Sequence, residues 1–195
     1  MSSGLLIAII LVAIVYVIAR SRRRSPSAPT PEPAVQPEPS TETVYQGLRN
    51  MVLCGTRERF GLASTATPNE PWGVVMDWGV PNGTATVMAL SDGSASIYLS
   101  SGGGYLGGQK EEAVRSAALH AVAVAREYPS QMRKTSDYVL PVTGEVVFYL
   151  LTDSGAFTSA EKEIELRDPA HSLAKLGNAM QGIVTQYRML EEYKK

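Results

Sequence analysis

The chain predicts an α+β domain carried behind a single N-terminal transmembrane helix and a proline-rich linker. Three observations lead there. An apolar run from Gly4 to Ala19 stops at a cluster of arginines, six prolines crowd the stretch between Ser25 and Thr43, and the remaining sequence interleaves short alternating strands with three helical periodicities. The expected layout is an anchor with its basic stop signal over residues 1–24, a disordered linker over 25–43 and one soluble domain over 44–195. Within that domain the element order reads α-β-β-β-α-β-β-α, and the simplest packing is two layers, an antiparallel sheet with the helices on one face.

The apolar run holds 16 residues, a helix of about 24 Å at 1.5 Å per residue. Arg20 and Arg22 can extend that span by snorkelling toward the headgroups. The competing reading is a cleaved signal peptide, since Val17-Ile18-Ala19 resembles a small-residue cleavage site. Two features favour an uncleaved anchor: no basic residue precedes the run, and Arg20, Arg22, Arg23 and Arg24 follow it at once. Arginine clusters stay cytoplasmic, which directs the N-terminus outward and the domain into the cytoplasm. A topology signal accounts for the arginines without lipid recognition.

The linker carries Pro26, Pro29, Pro31, Pro33, Pro37 and Pro39 and almost no large apolar side chain. It cannot bury enough surface to offset its ordering entropy. Proline stiffens it toward an extended spacer of up to roughly 60 Å. A polyproline ligand for an aromatic groove is the second reading of the same residues.

Beyond Thr43, helical spacing of Val44, Leu48, Met51 and Val52 predicts a helix with Thr43 as N-cap and Gly55 past its end. Loop residues run through Pro68 and Pro71. Three strands then follow in a meander. Trp72–Trp78 leads through Pro81-Asn82-Gly83 to Thr84–Leu90, and Asp92-Gly93 leads on to Ala95–Leu99. Asn-Gly and Asp-Gly between alternating segments are strong hairpin signals. An alanine-rich helix is expected from Lys110 to Tyr128, with Ala113, Val114, Ala117, Ala121, Val124 and Tyr128 on one face and Pro129 as its stop. Glu145–Leu151 reads as a strand, Asp153-Ser154-Gly155 as a turn and Ala156–Glu161 as the returning strand. Asp168-Pro169 is expected to open the last helix, whose apolar face holds Leu173, Leu176, Met180, Ile183, Val184 and Tyr187.

Charge excludes one class of function. Removing Arg20, Arg22, Arg23 and Arg24 from the 18 basic residues, and Glu32, Glu38 and Glu42 from the 19 acidic ones, leaves 14 against 16. A domain of net charge about −2 without a basic patch is not built for nucleic acid. The single cysteine, Cys54, excludes an intrachain disulfide and agrees with a reducing compartment.

The glycine tract is the first candidate site. Gly102, Gly104 and Gly107 spell G-x-G-x-x-G between a strand and a helix, with Gly108 beside them. Exposed amides at a helix start can cradle a phosphate. Against that, the preceding strand belongs to an antiparallel meander, Glu127 twenty residues on lies in the same helix, and Glu111 and Glu112 already satisfy the dipole. Gln109 stands where a Walker loop needs lysine. A tight strand-to-helix crossing is the favoured account, and ligand binding at this loop is the alternative.

Trp72 and Trp78 form the second candidate. Six residues apart on one strand, they should point to the same face, either into packing or onto an interaction surface. His120 and His171 each lack a second ligand at i+4, so no metal site is expected. Ser94, Ser96 and Ser154 have no evident base. Asp77, Asp92 and Asp153 would make a carboxylate pair only if the fold brought them together, and two of them are ordinary turn aspartates. No catalytic constellation and no cofactor motif emerges.

Two resemblances complete the reading. The element order resembles the two-layer fold of the secretion-chaperone-like proteins, in order alone. Trp72–Gly79, Asp92–Gly104 and Val146–Asp153 resemble segments of a group of uncharacterised bacterial proteins, which implies a bacterial origin and hence the inner membrane. The expected role is a membrane-tethered, non-enzymatic protein-interaction domain. Its partners would be the membrane, a protein that no motif identifies, or a second copy of the chain as a homodimer. A small-ligand or nucleotide sensor using Gly102–Gly108 is the alternative.

Overall fold

Residues 41–193 are described by the computed structural model; the expected anchor and all but the last three residues of the expected linker lie outside them. Among the described residues no helix is long and apolar enough to cross a membrane. The first helix, α1 (Thr41–Leu53), takes in those last three residues, so Thr43 lies inside it and does not cap it. Its first turn meets the glycine loop, where Thr41 Cγ2 would lie 2.9 Å from a β-carbon added to Gly102.

The expected meander forms as β1 (Gly73–Val80), β2 (Gly83–Leu90) and β3 (Ala95–Leu99). Val80 pairs with Gly83 across a loop of two residues, where Asn82 takes φ 67°. A left-handed φ suits asparagine better than most residues. After β4 (Gly104–Tyr105) comes the alanine-rich helix α2 (Glu112–Ala125). Then follow β5 (Arg133–Thr135), β6 (Glu145–Thr152), β7 (Gly155–Lys162), a four-residue helix α3 (Glu163–Leu166) and the long α4 (Ala174–Tyr193). All seven strands join one sheet in the order β4-β3-β2-β1-β6-β7-β5, antiparallel at every pairing. Two of the seven were not expected. At two and three residues, β4 and β5 are too short to show alternation.

The layering differs from the two-layer expectation, because both faces of the sheet are covered. On one face Val74, Met76, Val87, Ile97, Phe148 and Leu150 pack against α2 and α4. On the other, Val75, Met88, Tyr98, Val147, Tyr149 and Leu151 pack against Tyr45, Val52 and Leu53 of α1. Alternation sends odd and even residues to opposite cores, and here both cores are apolar. Ala118, Ala121 and Ala125 have no exposed surface. Their small side chains let α2 sit close to both the sheet and α4.

Asp168 also acts differently from expected. Its Oδ1 accepts from Ala170 N–H at 2.9 Å and its carbonyl accepts from His171 N–H at 3.0 Å, closing a turn ahead of α4. The helix itself starts at Ala174, so Leu173 joins the core from the turn.

Candidate functional site

One hollow lies beside Trp78, between the sheet and α4. It encloses about 210 Å³, with Met76 and Val146 from the sheet on one side, Leu166 of α3 on another, and Gly177, Asn178 and Gln181 of α4 closing it. The sequence explains the space. Gly177 brings no side chain, and a β-carbon there would stand 3.7 Å from Phe148 Cζ and 4.0 Å from Leu166 Cδ1, in ordinary contact. Trp78 Nε1 donates to Glu163 Oε2 at 2.9 Å, and Arg167 Nη2 donates to Glu163 Oε1 at 2.6 Å. The Arg167 guanidinium and the indole N–H hold the Glu163 carboxyl below the usual range for its type. The rim is therefore charged but internally paired.

Trp78 and Trp72 do not share a face, contrary to expectation. Trp78 packs at the margin of the core under α2 and α4, whereas Trp72 is buried in the core under α1, with its ring 5.9 Å from that of Phe60. The strand begins at Gly73, so Trp72 precedes it and strand alternation does not govern its direction.

The glycine loop makes the tight turn of the β3–β4 hairpin, and the chain then leads on into α2. A β-carbon on Gly104 would collide with the Ile97 carbonyl, and one on Gly108 would collide with Val114 and Tyr187. The amides are partly spoken for. Gly102 N–H donates to Leu99 O at 2.9 Å and Gly107 N–H to Ser96 Oγ at 3.2 Å. Beside Gly107 and Gly108 lies a hollow of about 290 Å³, bordered by Tyr105, Tyr187, Glu111 and Glu191. The two rings stack at 4.8 Å, and the Tyr187 hydroxyl is committed to Ala95 O at 2.8 Å.

A buried charged network lies under α1 and was not foreseen. Arg49 Nε and Nη2 both donate to Asp77 Oδ2, at 2.9 and 2.6 Å, with the two side chains 5% and 0% exposed. Thr86 Oγ1 donates to Asp77 Oδ1 at 2.5 Å and shares a 2.9 Å hydrogen bond with the Tyr45 hydroxyl. Arg49 Nη1 reaches Tyr138 O at 3.0 Å, and the Tyr149 hydroxyl donates to Val139 O at 2.8 Å. Burial, with Asp77 alongside, pushes the Tyr149 hydroxyl up to about 12. Burial also pushes the Asp77 carboxyl up, while Arg49 and Thr86 pull it down. Among the described residues every buried side-chain nitrogen or oxygen has a partner. The network fastens the helix and is closed to substrate.

The other titratable candidates separate. Asp77 is in that network, Asp92 accepts from Ser94 and Gln109, and Asp153 accepts from Arg57 and Thr65, so no pair among the three forms. His120 borders a shallow hollow with Lys175 and Asn178. His171 does meet carboxylates, since potential ligand atoms of Glu161, Glu165 and His171 lie within 4.8 Å of one another. The ring faces them through Nε2, but its hydrogen bonding does not suit a metal. Nδ1 accepts from Leu173 N–H at 3.2 Å, which places the proton on Nε2, aimed at Glu161 Oε2 at 3.4 Å. A ligating imidazole needs the reverse, a lone pair toward the metal and an N–H toward its support. Glu165 is meanwhile paired with Lys162 at 3.1 Å.

Comparison with family models, with curated proteins and with solved structures finds no match for this chain.

Proposed function

We propose that the chain is a membrane-tethered protein-interaction domain. The observation that carries this reading is the hollow beside Trp78. It is an apolar recess at the protein surface whose flanking amides, Asn178 and Gln181, make no side-chain hydrogen bond among the described residues. Apolar recesses with a few convergent polar groups are where partners and ligands seat. The N-terminal apolar run, its arginines and the proline-rich stretch supply the tether, with the domain in the cytoplasm of a bacterial cell. The sealed Arg49–Asp77 network supports a non-enzymatic role, because a catalytic carboxylate must reach its substrate.

The test is a photo-crosslinking residue at Gln181, with a second at the exposed Met51 on α1 as control. The expected result is a discrete adduct of reproducible mass from position 181 and none from position 51. Equal, diffuse labelling from both positions would overturn the reading. A periplasm-dependent reporter fused after Lys195 should stay silent if the orientation is as proposed.

One observation favours a second reading, a small-ligand sensor: the hollow beside Gly107 and Gly108. Glu111 and Glu191 on its border disfavour nucleotides and other anions by repulsion. Calorimetric heat with ATP, lost on Gly108→Ala, would restore the nucleotide version.

A further inference from the structure

The Trp78 hollow has a chemistry specific enough to name its occupant, an inference that rests on the interaction-domain reading. We infer that it takes one uncharged apolar side chain, a ring or a branched aliphatic group, from an extended segment of the partner protein. The peptide groups flanking that side chain would bond to Asn178 and Gln181.

Volume sets the size. A cavity of about 150 Å³ is filled by benzene, and this one measures about 210 Å³. It therefore suits a single side chain and is too small for a nucleotide or a folded element. Its lining sets the polarity. Met76, Val146 and Leu166 offer no hydrogen bond, and the Trp78 N–H is already given to Glu163. The indole N–H is thus not free for an occupant.

Desolvation disfavours ionic occupants. A charged group entering the recess would lose its water against Met76, Val146 and Leu166, which return no hydrogen bond. The charges at the rim, Glu163 and Arg167, are already paired with each other at 2.6 Å and are screened by solvent, so they offset little of that loss. A neutral group avoids that loss.

Asn178 and Gln181 supply the last constraint. Three residues apart on α4, they lie on one helix face. Each side-chain amide offers two N–H donors and one oxygen acceptor, which complements the N–H and C=O of a peptide bond. Neither makes a side-chain hydrogen bond to the rest of the described chain. In extended-peptide recognition, hydrogen bonds hold the backbone while a pocket selects the side chain, and this recess with its two amides allows the same division.

The test uses the full chain labelled with fluorotryptophan, its two resonances assigned through Trp72→Phe and Trp78→Phe. Titration with N-acetyl-phenylalaninamide and N-acetyl-leucinamide should shift the Trp78 resonance, with Kd of about 1 mM for so small a probe, and leave Trp72 unmoved. The glycine, lysine and glutamate analogues should bind at least about tenfold more weakly. The surface double variant Asn178→Ala/Gln181→Ala should weaken the two apolar probes by about tenfold. Gly177→Val, which puts two methyl groups toward the hollow, should abolish the shift.

Equal binding of the lysine or glutamate probe, or full affinity in the double variant, would overturn the inference. So would no shift at saturating probe. Failure here is distinguishable from failure of the interaction reading. If the probes do not bind but position 181 still gives a discrete adduct, the partner docks by another chemistry. If the probes bind and no adduct forms, the pocket stands and the protein partner falls.

Discussion

The two faces of the sheet are held by different means. Under α2 and α4 the contact is apolar apart from the Tyr187 hydroxyl on Ala95 O and holds no ion pair, with Phe148, Leu176, Met180 and Ile183 having no exposed surface. Under α1 a smaller apolar core surrounds an ion pair, Arg49 with Asp77, tied to Thr86 and Tyr45. The difference lies in what each arrangement specifies. A 14-residue and a 20-residue helix packed together can rely on area. A single 13-residue helix has less area to offer, and a buried pair fixes its position, because any slip leaves a charge unmatched.

The comparison can be broken most strongly at Asp77. Asp77→Ala leaves the Arg49 guanidinium buried without its counter-charge and should cost about 3–5 kcal/mol in urea unfolding. Adding Arg49→Met to Asp77→Leu should recover most of that loss, since an apolar replacement of both partners is often neutral. A double variant as unstable as the single one would show that the carbonyls of Tyr138 and Val139 need the guanidinium. On the opposite face, Ala121→Leu should cost about 1–3 kcal/mol by overpacking the α2 contact, read from the same unfolding curves.

Smaller changes sharpen the contrast. Tyr45→Phe removes the hydroxyl that meets Thr86 and should cost about 1 kcal/mol, whereas an apolar-only anchorage of α1 would predict no change. The weakest expected effect is at Glu163, whose carboxyl is held below its usual range by Arg167 and Trp78. A lowered folded-state value means the stabilisation is present above the unfolded value, about 4.3, and is lost as pH falls through the folded one. Glu163→Gln should therefore be less stable than the parent at pH 7 and indistinguishable from it at strongly acid pH. Because Arg167 is 68% exposed, solvent screens the pair, and the difference should not exceed about 0.5 kcal/mol.

Legibility followed the range of the interactions. The β1–β2 and β2–β3 hairpins were readable because Pro81-Asn82-Gly83 and Asp92-Gly93 carry their own turn chemistry. Helix α2 was readable from its periodicity. The second core had a signal that went unused: Val146-Val147-Phe148-Tyr149-Leu150-Leu151 does not alternate, as a strand buried on both faces need not. Trp72 precedes the first residue of β1, so the two-residue period that relates strand positions does not extend to it. The Trp78 hollow draws on residues from β1, β6, α3 and α4. No local pattern links Trp78 to Glu163, and nothing marks Gly177 as an opening until Phe148 and Leu166 are placed beside it.

By itself the sequence determined the α+β class, the meander and the two long helices of the apolar core. These rest on local periodicity and turn chemistry, which act over a few residues. Only the tertiary structure decided that α1 covers the second face, that Asp77 is a buried partner of Arg49, and that Trp78 borders a recess while Trp72 fills a core. Those outcomes depend on which strands become neighbours, so groups dozens of residues apart acquire their chemistry only when the sheet closes over them.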